Sequence, residues 1–308
     1  MEKESSIYVA GHNGLVGSSI VRRLKSKGFK NIITINKSDL DLTNSFKVES
    51  FFAENKIEYV FDAAAKVGGI HANDMYSAEF IYQNTMIHTN LINSAFKNNI
   101  KKFLFLGSVC IYPKFAPTPV KEESLLCGEL EPTNEAYAIS KIHGIHLLKA
   151  YNKQYGFKGV SLMPCNLYGP NDNFHHLNSH VIPALIRKFH FAGNGTVECW
   201  GDGSPSREFM YVDDLADACL FSIQNFDNAE VVNIGSGENI KIKELAETIS
   251  KITGYKGSIY WNKKKPNGTP NRPLDCSLIS SLGWKTRYKL DEGLRLSYNW
   301  FKQNYKNN

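Results

Sequence analysis

Ile7-Tyr8-Val9-Ala10-Gly11-His12-Asn13-Gly14-Leu15-Val16-Gly17 decides the reading of the fold. Ile7 to Ala10 is an apolar run of strand length, and Ser18-Ser19-Ile20-Val21-Arg22-Arg23-Leu24 has the apolar spacing of an amphipathic helix. Between them, Gly11 permits a tight turn, Gly14 lets backbone approach an anion such as a pyrophosphate, and Gly17 allows close packing of helix on strand. A glycine triplet is weak evidence alone. Placed at the first strand-to-helix turn, with a second strand at Ile32-Ile33-Thr34-Ile35, it is strong.

Outward from there, apolar runs at 7–10, 32–35, 58–64, 102–106 and 159–163 alternate with helical patterns near 15–27, 45–54, 77–98 and 137–155. That order predicts an α/β protein with a parallel, doubly wound sheet over 1–166. Past residue 166 the punctuation changes, with Gly169-Pro170, Gly193-Asn194-Gly195 and Gly201-Asp202-Gly203, and a smaller substrate-binding domain is expected over 167–308.

Composition narrows the function. The chain has 308 residues, 42% of them apolar, and a net charge of +6. No apolar stretch reaches the ~18 residues of a spanning helix, and the first residues mix charges, so a cytoplasmic location is expected. Cysteines at 110, 127, 165, 199, 219 and 276 show no C-x-x-C pairing, which argues against zinc and against a disulfide framework. Basic clusters such as Lys263-Lys264-Lys265 are short, so a nucleotide diphosphate is a better candidate anion than nucleic acid.

Two further segments carry chemistry. In Glu135-Ala136-Tyr137-Ala138-Ile139-Ser140-Lys141, a four-residue helical offset stacks Tyr137 and Lys141 on one face. A cation beside a phenol favours the phenolate, giving a group that exchanges protons at neutral pH. Lys102-Phe103-Leu104-Phe105-Leu106-Gly107-Ser108 delivers Ser108 to the carboxyl end of a strand, where open α/β sheets hold their ligands.

Taken together, Gly11-x-x-Gly14-x-x-Gly17, Ser108 and Tyr137-x-x-x-Lys141 resemble the extended short-chain dehydrogenase/reductase family. Within it the chain is similar to enzymes that epimerise and reduce GDP-linked keto sugars. That likeness runs through Ala63-Ala64-Ala65-Lys66-Val67-Gly68-Gly69-Ile70, Ser108-Val109-Cys110-Ile111-Tyr112-Pro113-Lys114, Asn166-Leu167-Tyr168-Gly169-Pro170 and Ser179-His180-Val181-Ile182-Pro183. It continues in Arg207-Glu208-Phe209, Val212-Asp213-Asp214-Leu215 and Lys265-Pro266-Asn267-Gly268-Thr269-Pro270. The resemblance implies a Rossmann-type domain to which the chain returns around 208–235, and a homodimer built on the helices near 77–98 and Tyr137.

The implied reaction is conversion of GDP-4-keto-6-deoxy-D-mannose to GDP-L-fucose by C3/C5 epimerisation and C4 reduction. Tyr137 is the expected proton donor, with Lys141 lowering its pKa and Ser108 hydrogen-bonding the developing alkoxide. Cys110 and His180 match the family's epimerisation base and acid, the cysteine pKa being lowered by a nearby histidinium or positive field. NADP(H) is the expected cofactor, because Ile35-Asn36-Lys37-Ser38 offers no carboxylate for a ribose 2′-hydroxyl, while Lys37 suits a 2′-phosphate. The implied cofactor site comprises Gly11, His12, Asn13, Gly14, Leu15, Val16, Gly17, Lys37, Asp41, Leu42, Leu106, Gly107, Ser108, Lys141, Pro164, Asn166, Leu167 and His180. Asp41-Leu42 would frame the adenine, or else cap the following helix ahead of Thr43. For the GDP half the likeness points to Lys188, Trp200, Arg207, Asn267 and Arg272. The chain departs from the family at Asn13, Val109 and Asn267, where arginine, serine and aspartate are usual. Two alternatives stay open: a reductase for another GDP-linked hexose or heptose, and a non-catalytic dinucleotide sensor, which would be expected to lack Ser108, Tyr137 or Lys141.

Overall fold

The computed structural model describes residues 1–176, 179–265, 267 and 272–305. The first half alternates as read from the sequence: β1 (Ile7–Ala10), α1 (Leu15–Ser26), β2 (Ile32–Ile33), α2 (Ser45–Glu54), β3 (Tyr59–Asp62), α3 (Ile70–Met75), α4 (Ser77–Lys97), β4 (Lys102–Leu106), α5 (Glu135–Tyr155) and β5 (Gly159–Pro164). The rest comprises β6 (Asn166–Tyr168), α6 (Val181–Phe191), β7 (Val197–Trp200), β8 (Ser206–Tyr211), α7 (Val212–Asn225), β9 (Asn228–Ile234), β10 (Asn239–Lys241), α8 (Ile242–Thr253), β11 (Ile259–Asn262), α9 (Ser277–Ser281) and α10 (Leu290–Asn304).

Six strands form one parallel sheet in the order β2-β1-β3-β4-β5-β9. Every residue of β1, β4 and β5 is buried, as a sheet covered on both faces requires. Side chains alternate between two cores. Ile7 and Val9 join Leu104, Leu162 and Cys219 on the face covered by α1 and α7. Tyr8 and Ala10 point the other way, to Leu91, Phe105 and Ile145 under α4 and α5. The strand order reverses between β1 and β3, and such a switch point opens a crevice at the strands' carboxyl ends.

The second half builds smaller layers. An antiparallel and parallel trio, β10-β8-β6, and the parallel pair β11-β7 enclose a third core of Tyr168, Ile182, Ile186, Phe209, Leu245 and Phe301. The segment around 208–235 divides between the layers. β8 pairs with β6, whereas α7 and β9 rejoin the large sheet, where β9 lies along β5. An ion pair at 2.7 Å between Arg22 and Asp213, and another between Arg23 and Asp217, fasten α7 to α1. The second strand is shorter than its apolar run. It lies at the sheet edge and pairs only through Ile7↔Ile32 and Tyr8↔Ile33, after which the chain peels away.

Two of the three loop glycines are fixed by sterics. Gly11 has φ +75°, and a Cβ there would lie 2.6 Å from the Ala63 carbonyl oxygen. One on Gly17 would fall 2.2 Å from the Gly11 carbonyl oxygen, whereas one on Gly14 would meet only that oxygen, at 3.5 Å. Gly17→Ala is therefore expected to destabilise the protein by roughly 1–3 kcal/mol through overpacking. Gly14→Ala should stay within about 0.5 kcal/mol of the wild type. Urea unfolding checks this, and equal costs at the two positions would contradict it.

Candidate active site

The loop after β1 presents an unclaimed helix end. Gly14 is the N-cap of α1 with extended backbone and no side-chain cap, and the first turn holds no acidic residue. The first amides of α1 thus keep their capacity for an anion, and the open space beside Gly14 lets one approach the backbone. This cradle fits a dinucleotide pyrophosphate. Toward β2, Asn13 donates from Nδ2 to Asn36 Oδ1 at 2.9 Å, beside the exposed Lys37. Asp41 Oδ1 accepts the Thr43 amide (2.9 Å) and hydroxyl (2.8 Å), which lowers its pKa and closes a local turn, while the cap of α2 is Asn44, whose side chain accepts the Lys47 amide at 3.1 Å. The Leu42 carbonyl accepts Asn90 Nδ2 at 2.9 Å and so is fixed to α4.

At the end of β4 the chain bends through Gly107 into a short turn, Val109–Ile111, whose N-cap is Ser108. Lys141, buried on α5, donates from Nζ to the Leu106 carbonyl at 2.7 Å. Its ammonium lies 5.8 Å from the centre of the Tyr137 ring, so the helical offset brings the two together as expected. Phe80 of α4 backs the phenol edge-on at 6.3 Å. Pro164, Asn166 and Leu167 follow at the carboxyl end of β5, where Asn166 Nδ2 donates to the Glu208 carbonyl at 2.9 Å.

The electrostatics differ from the expectation in two respects. Burial raises the Tyr137 pKa, with Cys110 adding to the rise, so the protein alone does not favour the phenolate. Burial also pushes the Cys110 thiol up to about 11, outweighing the lowering by Ser108, Lys141 and Arg272. No histidine is among the groups that oppose it. His180, the N-cap of α6, is reached by solvent, yet the protein packed around its ring disfavours the imidazolium and lowers its pKa. At neutral pH the free protein therefore carries a thiol at Cys110 and a neutral imidazole at His180. The cause is desolvation, which acts on every charge in a crowded cleft and exceeds what one or two cations return.

The residues expected for the GDP half fall in two groups, Lys188, Trp200 and Asn267 around β7, and Arg272 against the turn after β4 with Arg207 near it. Lys188 on α6 donates to the Glu198 carbonyl of β7 at 2.8 Å, and Trp200 closes that strand 55% exposed, with the Lys265 ammonium 5.4 Å from its ring centre. Trp200 is thus an open aromatic face, not a core residue. Arg272 donates to the carbonyls of Tyr112 (3.3 Å) and Pro113 (2.8 Å), and Arg207 to that of Ser206 at 2.7 Å. Each guanidinium is half-buried with its pKa lowered by burial, and Arg272 adds to that lowering at Arg207. Asn267 Oδ1 accepts the Asp202 amide at 2.8 Å, holding the turn after Trp200. Pro266 and Gly268, Thr269 and Pro270 of the expected motif lie outside the described residues. Among the described residues no group of His, Cys, Asp and Glu is arranged to hold a metal.

Sequence reasoning missed Asp62 and His88, a fully buried pair behind Lys141 with Nδ1 and Oδ2 2.9 Å apart. The available signal was a carboxylate closing the otherwise apolar strand Tyr59-Val60-Phe61-Asp62.

Comparison with known proteins agrees with this geometry. Residues 7–235 match the NAD dependent epimerase/dehydratase family. GDP-L-fucose synthase 1 of Arabidopsis thaliana is 53% identical, the match covering 98% of this chain and 95% of the relative. GDP-L-fucose synthase of Escherichia coli K12 is 48% identical, over 97% of each. Among solved structures, a GDP-mannoheptose C4 reductase from Campylobacter jejuni with NADP bound superposes with a TM-score of 0.89 at 39% identity, covering 98% of this chain and 99% of that one.

The raised Cys110 pKa has a direct chemical readout, because only the thiolate is alkylated. At pH 7.5 iodoacetamide should modify the exposed Cys127 well before Cys110, and the Cys110 rate should climb as pH approaches about 11. Peptide mapping by mass spectrometry checks this; faster labelling of Cys110 at pH 7.5 would show a low-pKa thiol.

Proposed function

The chain belongs to the NAD dependent epimerase/dehydratase family, and within it we propose that the protein converts GDP-4-keto-6-deoxy-D-mannose to GDP-L-fucose, using NADPH for the reduction and epimerising C3 and C5. The observation that carries this reading is the turn after β4, where Ser108 and Cys110 stand two residues apart beside Tyr137 and Lys141. Reductive and proton-shuttling groups then serve one cleft. Full-length identity to GDP-L-fucose synthases supports the substrate, and the NADP-bound reductase supports the cofactor.

When bound, NADPH supplies a hydride to C4. The amides at the start of α1 would hold its pyrophosphate, Lys37 the 2′-phosphate and Lys141 the nicotinamide ribose. Tyr137 gives its phenolic proton to the C4 oxygen, and Lys141 stabilises the phenolate left behind. A raised pKa in the free protein means the phenol is protonated before reaction, as a donor must be. Ser108 donates a hydrogen bond to the same oxygen as charge develops there. Polarisation of the C4 ketone acidifies the hydrogens at C3 and C5. In the free protein the His180 imidazole offers a lone pair to take hydrogen from one face and the Cys110 thiol a proton to return to the other, the reverse of the base and acid order expected from the resemblance. Arg207 and Arg272 receive the diphosphate, and Trp200 stacks on base or sugar.

The heptose alternative has support in the Campylobacter reductase, at lower identity than the fucose synthases. Retention of both Cys110 and His180 favours an epimerising enzyme, and retention of Ser108, Tyr137 and Lys141 disfavours a sensor. Six free cysteines suit a reducing cytoplasm, and no described helix is long and apolar enough to cross a membrane. We also propose a two-fold homodimer through α4 and α5, which leave Tyr82 (64% exposed) and Ile139 (42%) uncovered.

Tyr137→Phe should lower NADPH oxidation by ~10²–10⁴-fold, as loss of a positioned acid does. Cys110→Ser should instead stop exchange of substrate C3 and C5 hydrogens with deuterium oxide, read by NMR, while retaining NADPH binding, and His180→Gln should impair the same exchange. GDP-L-fucose formed at wild-type rate by both variants would return Cys110 and His180 to structural roles. For the dimer, light scattering at micromolar concentration should give about twice the chain mass; a monomer would remove the proposal.

A further inference from the structure

Asp62 closes β3 as a buried carboxylate, 1% exposed, and pairs in register with Phe105 of β4. One of its oxygens accepts the Ala64 amide at 3.2 Å, and the other lies 2.9 Å from His88 Nδ1. Both oxygens accept, so Nδ1 carries the hydrogen and His88 is a neutral imidazole whose Nε2 has no partner among the described residues. The His88 ring meets Phe105 edge-on with centroids 4.8 Å apart, and Lys141 Nζ lies 5.1 Å from the centre of the same ring. The next residue after Phe105, Leu106, supplies the carbonyl that Lys141 grips. Carboxylate, imidazole and ammonium are thus gathered around one phenylalanine, on three different elements.

We propose that Asp62 is the buried counter-anion of Lys141 and that His88 holds it in place, which makes both positioning residues for the C4 reduction. The Leu106 carbonyl satisfies one ammonium hydrogen but supplies no charge, and an uncompensated ammonium in this setting gives up its proton at lower pH. Burial brings the Lys141 pKa down to about 8, and Asp62 is the first influence that opposes it. Cys110, on the turn after β4, is the other, but its thiol is neutral until about pH 11. Tyr137 faces Lys141 from α5 and is likewise neutral before reaction, its pKa raised. His88 does not compete as a cation: burial first, then Lys141, brings its pKa down to about 4, with His143 of α5 contributing in the same direction. His143 itself faces Thr89, 2.8 Å from its hydroxyl, and its pKa is lowered by burial. Asp62 is left as the negative charge that keeps Lys141 cationic at neutral pH.

The sign of the effect follows. Lys141 serves the reaction while protonated, so that contribution is present below its pKa and is lost as pH rises through it. Removing the Asp62 charge lowers that pKa, and the loss begins at lower pH.

The inference rests on the reaction proposed above, and the test separates the two. In full-length protein without cofactor, lysines labelled at Cε are titrated by NMR, Lys141 being assigned from its absence in Lys141→Met. Asp62→Asn, isosteric and able to hydrogen-bond His88, should move the Lys141 midpoint down by roughly one unit. The alkaline limb of kcat for NADPH oxidation should move the same way. Lys141→Met reads the contact from the other side, because loss of the cation should raise the His88 midpoint. An unchanged Lys141 midpoint in folded Asp62→Asn, or an unchanged His88 midpoint in Lys141→Met, would overturn the inference. A lowered Lys141 midpoint in a protein that does not reduce the GDP-keto sugar would uphold the counter-ion and overturn the reaction instead.

Discussion

The hydrogen bond from the Lys141 ammonium to the Leu106 carbonyl, 2.7 Å long and shut away from solvent, ties the chemistry to the fold. It joins the second turn of α5 to the last residue of β4, and so helps to set the helix carrying Tyr137 against the turn carrying Ser108 and Cys110. That contact depends on the sheet in turn. The strand must end at Leu106 for its carbonyl to be free of ladder pairing, and α5 must lie flat on the face that Phe105 and Ile145 fill.

Desolvation is the common electrostatic theme of the cleft. It raises Tyr137 and Cys110 and lowers Lys141 and His180, so the protein at neutral pH holds its protons on the phenol and the thiol. A site arranged in this way keeps its proton carriers neutral around one cation, Lys141, before substrate arrives. It moves charge only during reaction, when the hydride-accepting ketone develops negative character beside Lys141 and Ser108. Besides Lys141, the cleft holds two half-buried arginines, Arg207 and Arg272, whose pKa values burial also lowers.

Much of this was legible in the sequence, for local reasons. The run Ile7 to Ala10, the glycine spacing and the Tyr137–Lys141 offset each encode their geometry within a few residues, and the helices near 45–54 and 77–97 announce themselves by period. Contacts set by register across distant segments were not legible. β8 closes a small sheet between β10 and β6, a placement that its six residues do not reveal. Asp62 and His88 are 26 residues apart and become a pair only because β3 ends where α4 passes over it. The direction of the Cys110 shift was misread because charge neighbours can be inferred from motifs, whereas the depth of burial comes from packing. Asp41 showed the converse, its side chain being consumed by the local turn with Thr43.

The central claim is that a single cleft both inverts C3 and C5 and reduces C4 of a GDP-linked keto sugar. Incubating the purified protein with GDP-4-keto-6-deoxy-D-mannose and NADPH in deuterium oxide, then identifying the product by NMR, tests it most directly. The account predicts GDP-L-fucose carrying solvent deuterium at C3 and C5. A GDP-6-deoxyhexose with both centres unlabelled and in their original configuration would contradict it.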